Sequence, residues 1–177
     1  GRALCWGRDD YGQSRPPPGV NFSSVSAGWF HSCGVDEAAR VHCWGRDEHG
    51  ESSPPERAAF RTVSAGYRHS CGVSTAGRML CWPAEGESSR TAPPPGVAFS
   101  AVSAGYDHTC ALDADGLVRC WGPRRGVHGP PPGRRGFRWV ATGGDGSCAA
   151  DALGEVRCWG RGAHGRGALT VPLLVAA

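Results

Sequence analysis

Short apolar runs, punctuated by Gly and Pro, govern this sequence, and they come in threes. Phe22-Ser-Ser-Val-Ser-Ala27 closes on Gly28, His31-Ser-Cys-Gly-Val35 follows, and Val41-His-Cys-Trp-Gly45 comes after a polar turn. Runs of this length bounded by turn residues predict β-strands. No stretch carries apolar residues at the 3.6-residue spacing of a helix. A loop such as Ser14-Arg-Pro-Pro-Pro-Gly19 or Thr91-Ala-Pro-Pro-Pro-Gly96 then leads to the next triplet.

The triplet recurs. Phe22–Gly28 aligns with Phe60–Gly66, Phe99–Gly105 and Phe137–Gly143. Three residues past each Gly comes His31-Ser-Cys33, His69-Ser-Cys71, His108-Thr-Cys110 and a degenerate Gly146-Ser-Cys148. Each of these Cys residues is followed by a Cys-Trp pair, and the opening Cys5-Trp6-Gly7 is the same tail. The tail Cys residues, Cys5, Cys43, Cys81, Cys120 and Cys158, lie 38 or 39 residues apart. A period of that size with three short strands per unit predicts a β-repeat. The units span about 8–45, 46–83, 84–122 and 123–160, with partial units at 1–7 and 161–177, in one repeat domain over 1–177. The tail from Ala163 reads as the loop and first strand of a further unit.

Cys33 and Cys43 flank a hairpin centred near Ala38, so an antiparallel register makes them face each other. Opposed Cβ atoms in such a pair lie about 4.5–5.5 Å apart, and a disulfide needs about 3.5–4.5 Å, so a modest strand adjustment permits the bond. The same holds for Cys71–Cys81, Cys110–Cys120 and Cys148–Cys158. Each bond constrains the unfolded chain by about 2–3 kcal/mol. Cys5 is left over, and its partner is expected upstream of residue 1. Two other readings stay open. One is reduced, buried thiols in a cytosolic protein. The other is zinc on His31, Cys33 and Cys43, for which a fourth ligand is not evident and which unit four contradicts with Gly146. His and Cys two apart share one strand face, so the bland account is a core His braced beside the disulfide.

These residues resemble the regulator of chromosome condensation repeat family, in its Cys-containing variety. The resemblance rests on Val-Ser-Ala-Gly-x-x-His-Ser-Cys, a short turn and Cys-Trp-Gly, in four copies plus partial ends. It implies an all-β β-propeller, of the kind found in nuclear exchange factors, a secreted β-lactamase inhibitor and crinkly-type receptor kinase ectodomains. The family's usual ring has seven blades. The units here are too few for that, so the expectation is four to five blades in an open arc or a fragment of a ring. Pro83 stands where the repeat has Gly after Trp82, and unit four lacks its His.

Composition narrows the function. Gly numbers 28 and Pro 14, which suits turns and short strands. The formal net charge is +3, too small to imply a nucleic-acid partner. Every basic residue is Arg and Ile is absent, which reads as compositional bias. No apolar run reaches the length of a membrane span, and no signal peptide is visible. Cys and His recur together too regularly for a catalytic pair, as do Ser26, Ser64 and Ser103, and no phosphate loop is present. The chain is therefore expected to be no enzyme and to need no cofactor or metal.

Binding candidates are residues outside the scaffold. The Trp after each tail Cys points away from that Cys and is expected to pack between sheets. Trp29 and Trp139 break the repeat, and Trp29, Tyr67 and Tyr106 follow equivalent Gly turns, which places a row of aromatics on one propeller face. Between Gly116 and Gly144 lie six Arg and no acid, among them Arg124, Arg125, Arg134 and Arg135, a candidate site for an acidic partner or anionic glycan. Acidic residues concentrate instead in Asp47–Glu51, Glu56, Glu85 and Glu87.

The expected function is a non-catalytic, disulfide-stapled interaction module, extracellular, cell-surface or lumenal, with a protein or glycan ligand. The alternatives are an intracellular guanine-nucleotide exchange propeller acting on a small GTPase in cytoplasm or nucleus, and a structural spacer in a longer array.

Overall fold

A computed structural model describes residues 1–83, 92–123 and 135–160, and the backbone of 169–170. The described residues hold strands and turns and no helix. Blade 1 consists of β1 (Phe22–Ala27), β2 (His31–Asp36) and β3 (Val41–Gly45). Blade 2 consists of β4 (Phe60–Ala65), β5 (Ser70–Ser74) and β6 (Met79–Trp82). Blade 3 consists of β7 (Phe99–Ala104), β8 (Thr109–Asp113) and β9 (Val118–Trp121). Blade 4 holds β10 (Phe137–Thr142), β11 (Gly146–Asp151), β12 (Glu155–Gly160) and the two-residue β13 (Leu169–Thr170). Each blade is an antiparallel meander in sequence order, and the blades form an open arc of the propeller type.

Local chemistry sets each meander. Every first hairpin carries a register shift just after its leading Phe, as between Phe22 and Ser24, a bulge that increases the local twist. Each second hairpin turns around a short polar side chain. Asp36 Oδ1 accepts hydrogen bonds from the N–H groups of Ala38 and Arg40, and Asp113 and Asp151 do the same in blades 3 and 4. Ser74 fills this place in blade 2, accepting from the Arg78 N–H. The turn needs one residue at positive φ, supplied by Gly77, Gly116 and Gly154 but by Ala39 in blade 1.

The core lies between blades. Cys33 and Val35 of blade 1 pack against Phe60, Val63, Ala65 and Trp82 of blade 2. Cys71, Val73 and Met79 meet Phe99 and Ala111, and Cys110, Leu112 and Val118 meet Phe137 and Ala149. Three of the tail Trp residues take part as expected, since Trp82, Trp121 and Trp159 belong to these clusters, whereas Trp6 is exposed.

Residues 1–6 occupy the place of a third strand preceding blade 1. Gly1 O accepts the Phe22 N–H, as Ala39 O accepts that of Phe60 and Gly77 O that of Phe99. At the other end, Leu169 and Thr170 pair with Val156 and Glu155 of β12, so the loop part of the tail adds a strand to blade 4. The same distance beyond Cys5 and Cys43 the sequence has Pro16-Pro17 and Pro54-Pro55, which lack the N–H a strand must donate. Beside blade 2, Pro93, Pro94 and Pro95 line a cleft with Arg78 and Met79 at the start of β6.

Candidate functional site

The hairpin register puts Cys33 opposite Cys43, Cys71 opposite Cys81, Cys110 opposite Cys120 and Cys148 opposite Cys158. All four pairs are disulfides. Their Cα atoms are 4.0–4.1 Å apart, closer than the roughly 4.5 Å of an ordinary non-hydrogen-bonded pair, so the strands draw together at the bond. The zinc and free-thiol readings both need reduced sulfurs, which these eight are not. Cys5 is the free cysteine.

Each recurring His reaches across to the next blade. His31 Nε2 lies 2.7 Å from Ser70 Oγ, His69 Nε2 2.9 Å from Thr109 Oγ1, and His108 Nε2 2.8 Å from Ser147 Oγ. Ser70 gives its single hydroxyl proton to Glu51 O, so its oxygen accepts, and His31 donates from Nε2. That leaves His31 Nδ1 buried without a partner. Burial, with Arg46 nearby, lowers the His31 pKa to about 4, although Glu51 and Asp47 oppose the shift. The Ser residues read as scaffolding serve the same joint: Ser26, Ser64 and Ser103 accept the N–H groups of Ala65, Ala104 and Thr142 in the following blade.

The turns between first and second strands stack into a ladder. Trp29 N–H donates to Gly66 O, Tyr67 N–H to Gly105 O, and Tyr106 N–H to Gly143 O. A Cβ on Gly28 would sit 2.6 Å from Gly66 O, and one on Gly66 2.6 Å from Gly105 O, so close approach of the next blade requires Gly here.

This ladder gathers the aromatic side chains. Tyr67 and Tyr106 stack with centroids 4.3 Å apart, and Trp29 meets both edge-on at 5.7 and 5.6 Å. Phe30 packs against Tyr67, and Tyr11 against Phe30. Trp29 is 56 % exposed. The Arg46 guanidinium lies 4.5 Å from the Phe30 ring centre, that of Arg68 5.1 Å from Tyr67. Arg46 is buried and paired with buried Glu51 at 2.8 Å, whereas Arg68 is exposed and in no ion pair among the described residues. Burial alone would raise the Glu51 pKa. Hydrogen bonds from its own and the His49 N–H groups and from Arg46, with the Arg46 charge, outweigh it and lower the pKa.

A family model for the regulator of chromosome condensation (RCC1) repeat matches residues 22–51, 60–82 and 99–129, covering the three units that keep the His. These three units are RCC1 repeats. It is similar to the CRINKLY ectodomain of the receptor kinase ACR4 from Arabidopsis thaliana, with 27 % identity and a TM-score of 0.70 over 81 % of this chain and 52 % of that one. It is also similar to the ectodomain of the receptor kinase CR4 from Physcomitrella patens, at 25 % identity and a TM-score of 0.74 over 90 % of this chain and 47 % of that one. Prp20p from Saccharomyces cerevisiae shares the fold at 15 % identity, with a TM-score of 0.64 over 82 % of this chain and 47 % of that one. The chain thus spans about half the length of these solved relatives. No curated protein matches the sequence significantly.

Within this RCC1-repeat arc, Trp29, Tyr67 and Tyr106 come together as one row. The Arg cluster does not form a comparable patch among the described residues. Arg135 pairs with Asp115 at 3.3 Å and Arg119 with Asp113 at 3.0 Å, while Arg124, Arg125 and Arg134 lie outside the described residues, as do Glu85 and Glu87. The acidic segment Asp47–Glu51 is largely internal to its own loop: Glu51 binds Arg46, and Asp47 accepts from Ser52 N–H and Ser53 Oγ–H. A second signal was present here. Gly7-Arg-Asp-Asp-Tyr-Gly-Gln-Ser14 aligns with Gly45-Arg-Asp-Glu-His-Gly-Glu-Ser52, marking the segment as part of the repeat. Among the described residues no helix is long and apolar enough to cross a membrane.

Proposed function

We propose that this RCC1-repeat propeller segment is a non-catalytic interaction module of an oxidising compartment, extracellular, cell-surface or lumenal, and that it contacts a protein partner through the Trp29–Tyr67–Tyr106 row. The single observation that carries this is the row itself. Three consecutive blades present large rings at one ladder of turns, with Trp29 more than half exposed and, beside them, an Arg68 guanidinium that pairs with no carboxylate among the described residues. Exposed aromatics and Arg are the side chains that dominate protein interfaces. Four disulfides support the oxidising compartment, because cytosolic thiols are kept reduced. The likeness to two receptor-kinase ectodomains supports the same placement.

Two measurements test the reading. Thiol counting under denaturing, non-reducing conditions on secreted material is expected to return one thiol per chain, and nine would overturn the compartment. A displayed random-peptide library and a glycan array, each probed with the chain and with Trp29→Ala, test the surface. Enriched peptides that bind the variant at least about tenfold more weakly support it. Peptides indifferent to Trp29, or glycan binding alone, would overturn it.

A further inference from the structure

We infer that Asn21, at the start of β1, is an acceptor site for an N-linked oligosaccharide. Asn21 is the single Asn of the chain, and it stands in the run Asn21-Phe-Ser23. An Asn followed two residues later by Ser or Thr, with no Pro between, is the pattern that N-glycosylation of secreted chains requires. The inference rests on the oxidising-compartment reading, because the sugar is transferred in the lumen of the secretory pathway.

The fold leaves this place open in every blade. Asn21 aligns with Ala59, Ala98 and Gly136, each just before the leading Phe of its blade. All four are exposed, and the last three are so with a complete blade in front of theirs. Exposure of Asn21 is thus a property of its position in the repeat. The backbone there does the same work whichever side chain is present: Asn21 O accepts the Glu37 N–H, Ala59 O that of Thr75 and Ala98 O that of Ala114. The Asn21 side-chain amide has no hydrogen-bond partner among the described residues. Ala and Gly fill the place in the other blades, so neither packing nor hairpin geometry calls for Asn.

Ser23 sets when transfer occurs. Its Oγ donates to Val35 O across the first hairpin, as Ser100 Oγ donates to Leu112 O in blade 3. A hydroxyl has one proton, and one committed to Val35 cannot also serve the transferring enzyme. Asn21 is therefore modified on the extended chain, before β1 closes on β2. The donor is an oligosaccharide on a polyprenyl diphosphate carrier. The bond from sugar C1 to the diphosphate oxygen breaks, a bond from C1 to Asn21 Nδ2 forms, Nδ2 loses one proton, and the polyprenyl diphosphate leaves with the electron pair. In the folded chain the sugar stands at the other end of β1 from Trp29, roughly 25 Å along the extended backbone, and leaves the aromatic row uncovered.

The test expresses the whole chain behind a cleavable secretion signal in cultured animal cells and collects both secreted and lumenal protein. Intact mass, thiol count and peptide mapping after peptide-N-glycosidase treatment in heavy-oxygen water are read together. The expected chain has one free thiol, loses the mass of one glycan on treatment, and carries isotope-labelled Asp in place of Asn21 afterwards. Ser23→Thr is expected to keep the glycan and Ser23→Ala to abolish it. A chain with one thiol and an unmodified Asn21 would overturn the inference and leave the compartment reading standing. A glycan that survives Ser23→Ala would overturn it too. Nine thiols and no glycan would overturn both readings.

Discussion

His31 of blade 1 donates from Nε2 to Ser70 Oγ of blade 2 across 2.7 Å, and its other ring nitrogen is buried without a partner. Neutral imidazole is therefore the form that fits the joint. Burial holds its pKa at about 4, against 6.5 for the free side chain. The sign follows: above pH 6.5 both folded and unfolded chains carry neutral His31. As pH falls from 6.5 towards 4 the unfolded chain gains the proton first and stability is lost. The expected loss from this one group is about 2–3 kcal/mol between pH 7 and pH 4.5. Urea unfolding at both pH values, in the chain and in His31→Asn, checks it. The variant is expected to be less stable at pH 7 and to show a smaller loss on acidification.

The Gly turns make a paired prediction. Gly66→Ala places a Cβ 2.6 Å from Gly105 O and forces blades 2 and 3 apart, whereas Gly143→Ala meets nothing closer than Gly146 O at 3.8 Å. The first is expected to cost about 1–3 kcal/mol and the second less than about 0.5 kcal/mol. Chemical denaturation of the two variants measures the difference.

The repeat was legible in the sequence because its constraints are local. The register of Cys71 against Cys81 follows from symmetric spacing about a turn, and the blade boundaries follow from the period. The partners of the repeating side chains were harder to read. His31 lies beside its own Cys33 in sequence, yet its acceptor, Ser70, belongs to the following unit. Glu51 looked like surface charge because a buried carboxylate needs a cation, and the one it uses, Arg46, sits in the same loop facing inward. The strand at Leu169–Thr170 has no strong β pattern; it forms where residues with free N–H groups replace the prolines of other loops. The aromatic row was visible as three residues after three Gly turns, but the joining of Phe30 and Tyr11 to it depends on packing.

Disulfide reduction is expected to be ordered. The Cys33, Cys71 and Cys110 sulfurs are sealed between blades, while Cys158 is exposed among the described residues. Thiolate attack needs access, so Cys148–Cys158 is expected to open first under limiting dithiothreitol. Alkylation and peptide mapping at early times read the order. Simultaneous loss of all four bonds would contradict it.

Ala39 holds a φ of 63° in a turn where Gly77, Gly116 and Gly154 do the same work without a Cβ. Ala39→Gly relieves this conformation at some cost in unfolded-state entropy, and a net gain of about 0.5–1 kcal/mol is expected. Thermal unfolding followed by circular dichroism is the check, and no rise in midpoint would show that the turn is relaxed with Ala.

The proline-bearing loops have a consequence for how such arcs meet one another. Pro93–Pro95 lie beside the start of β6, and in blade 4 the chain's own backbone pairs with part of the last strand. A lateral strand edge guarded in these two ways is a poor template for another polypeptide. Growth by sideways accretion into sheets or fibres is thus disfavoured along the rim at blades 2 and 4.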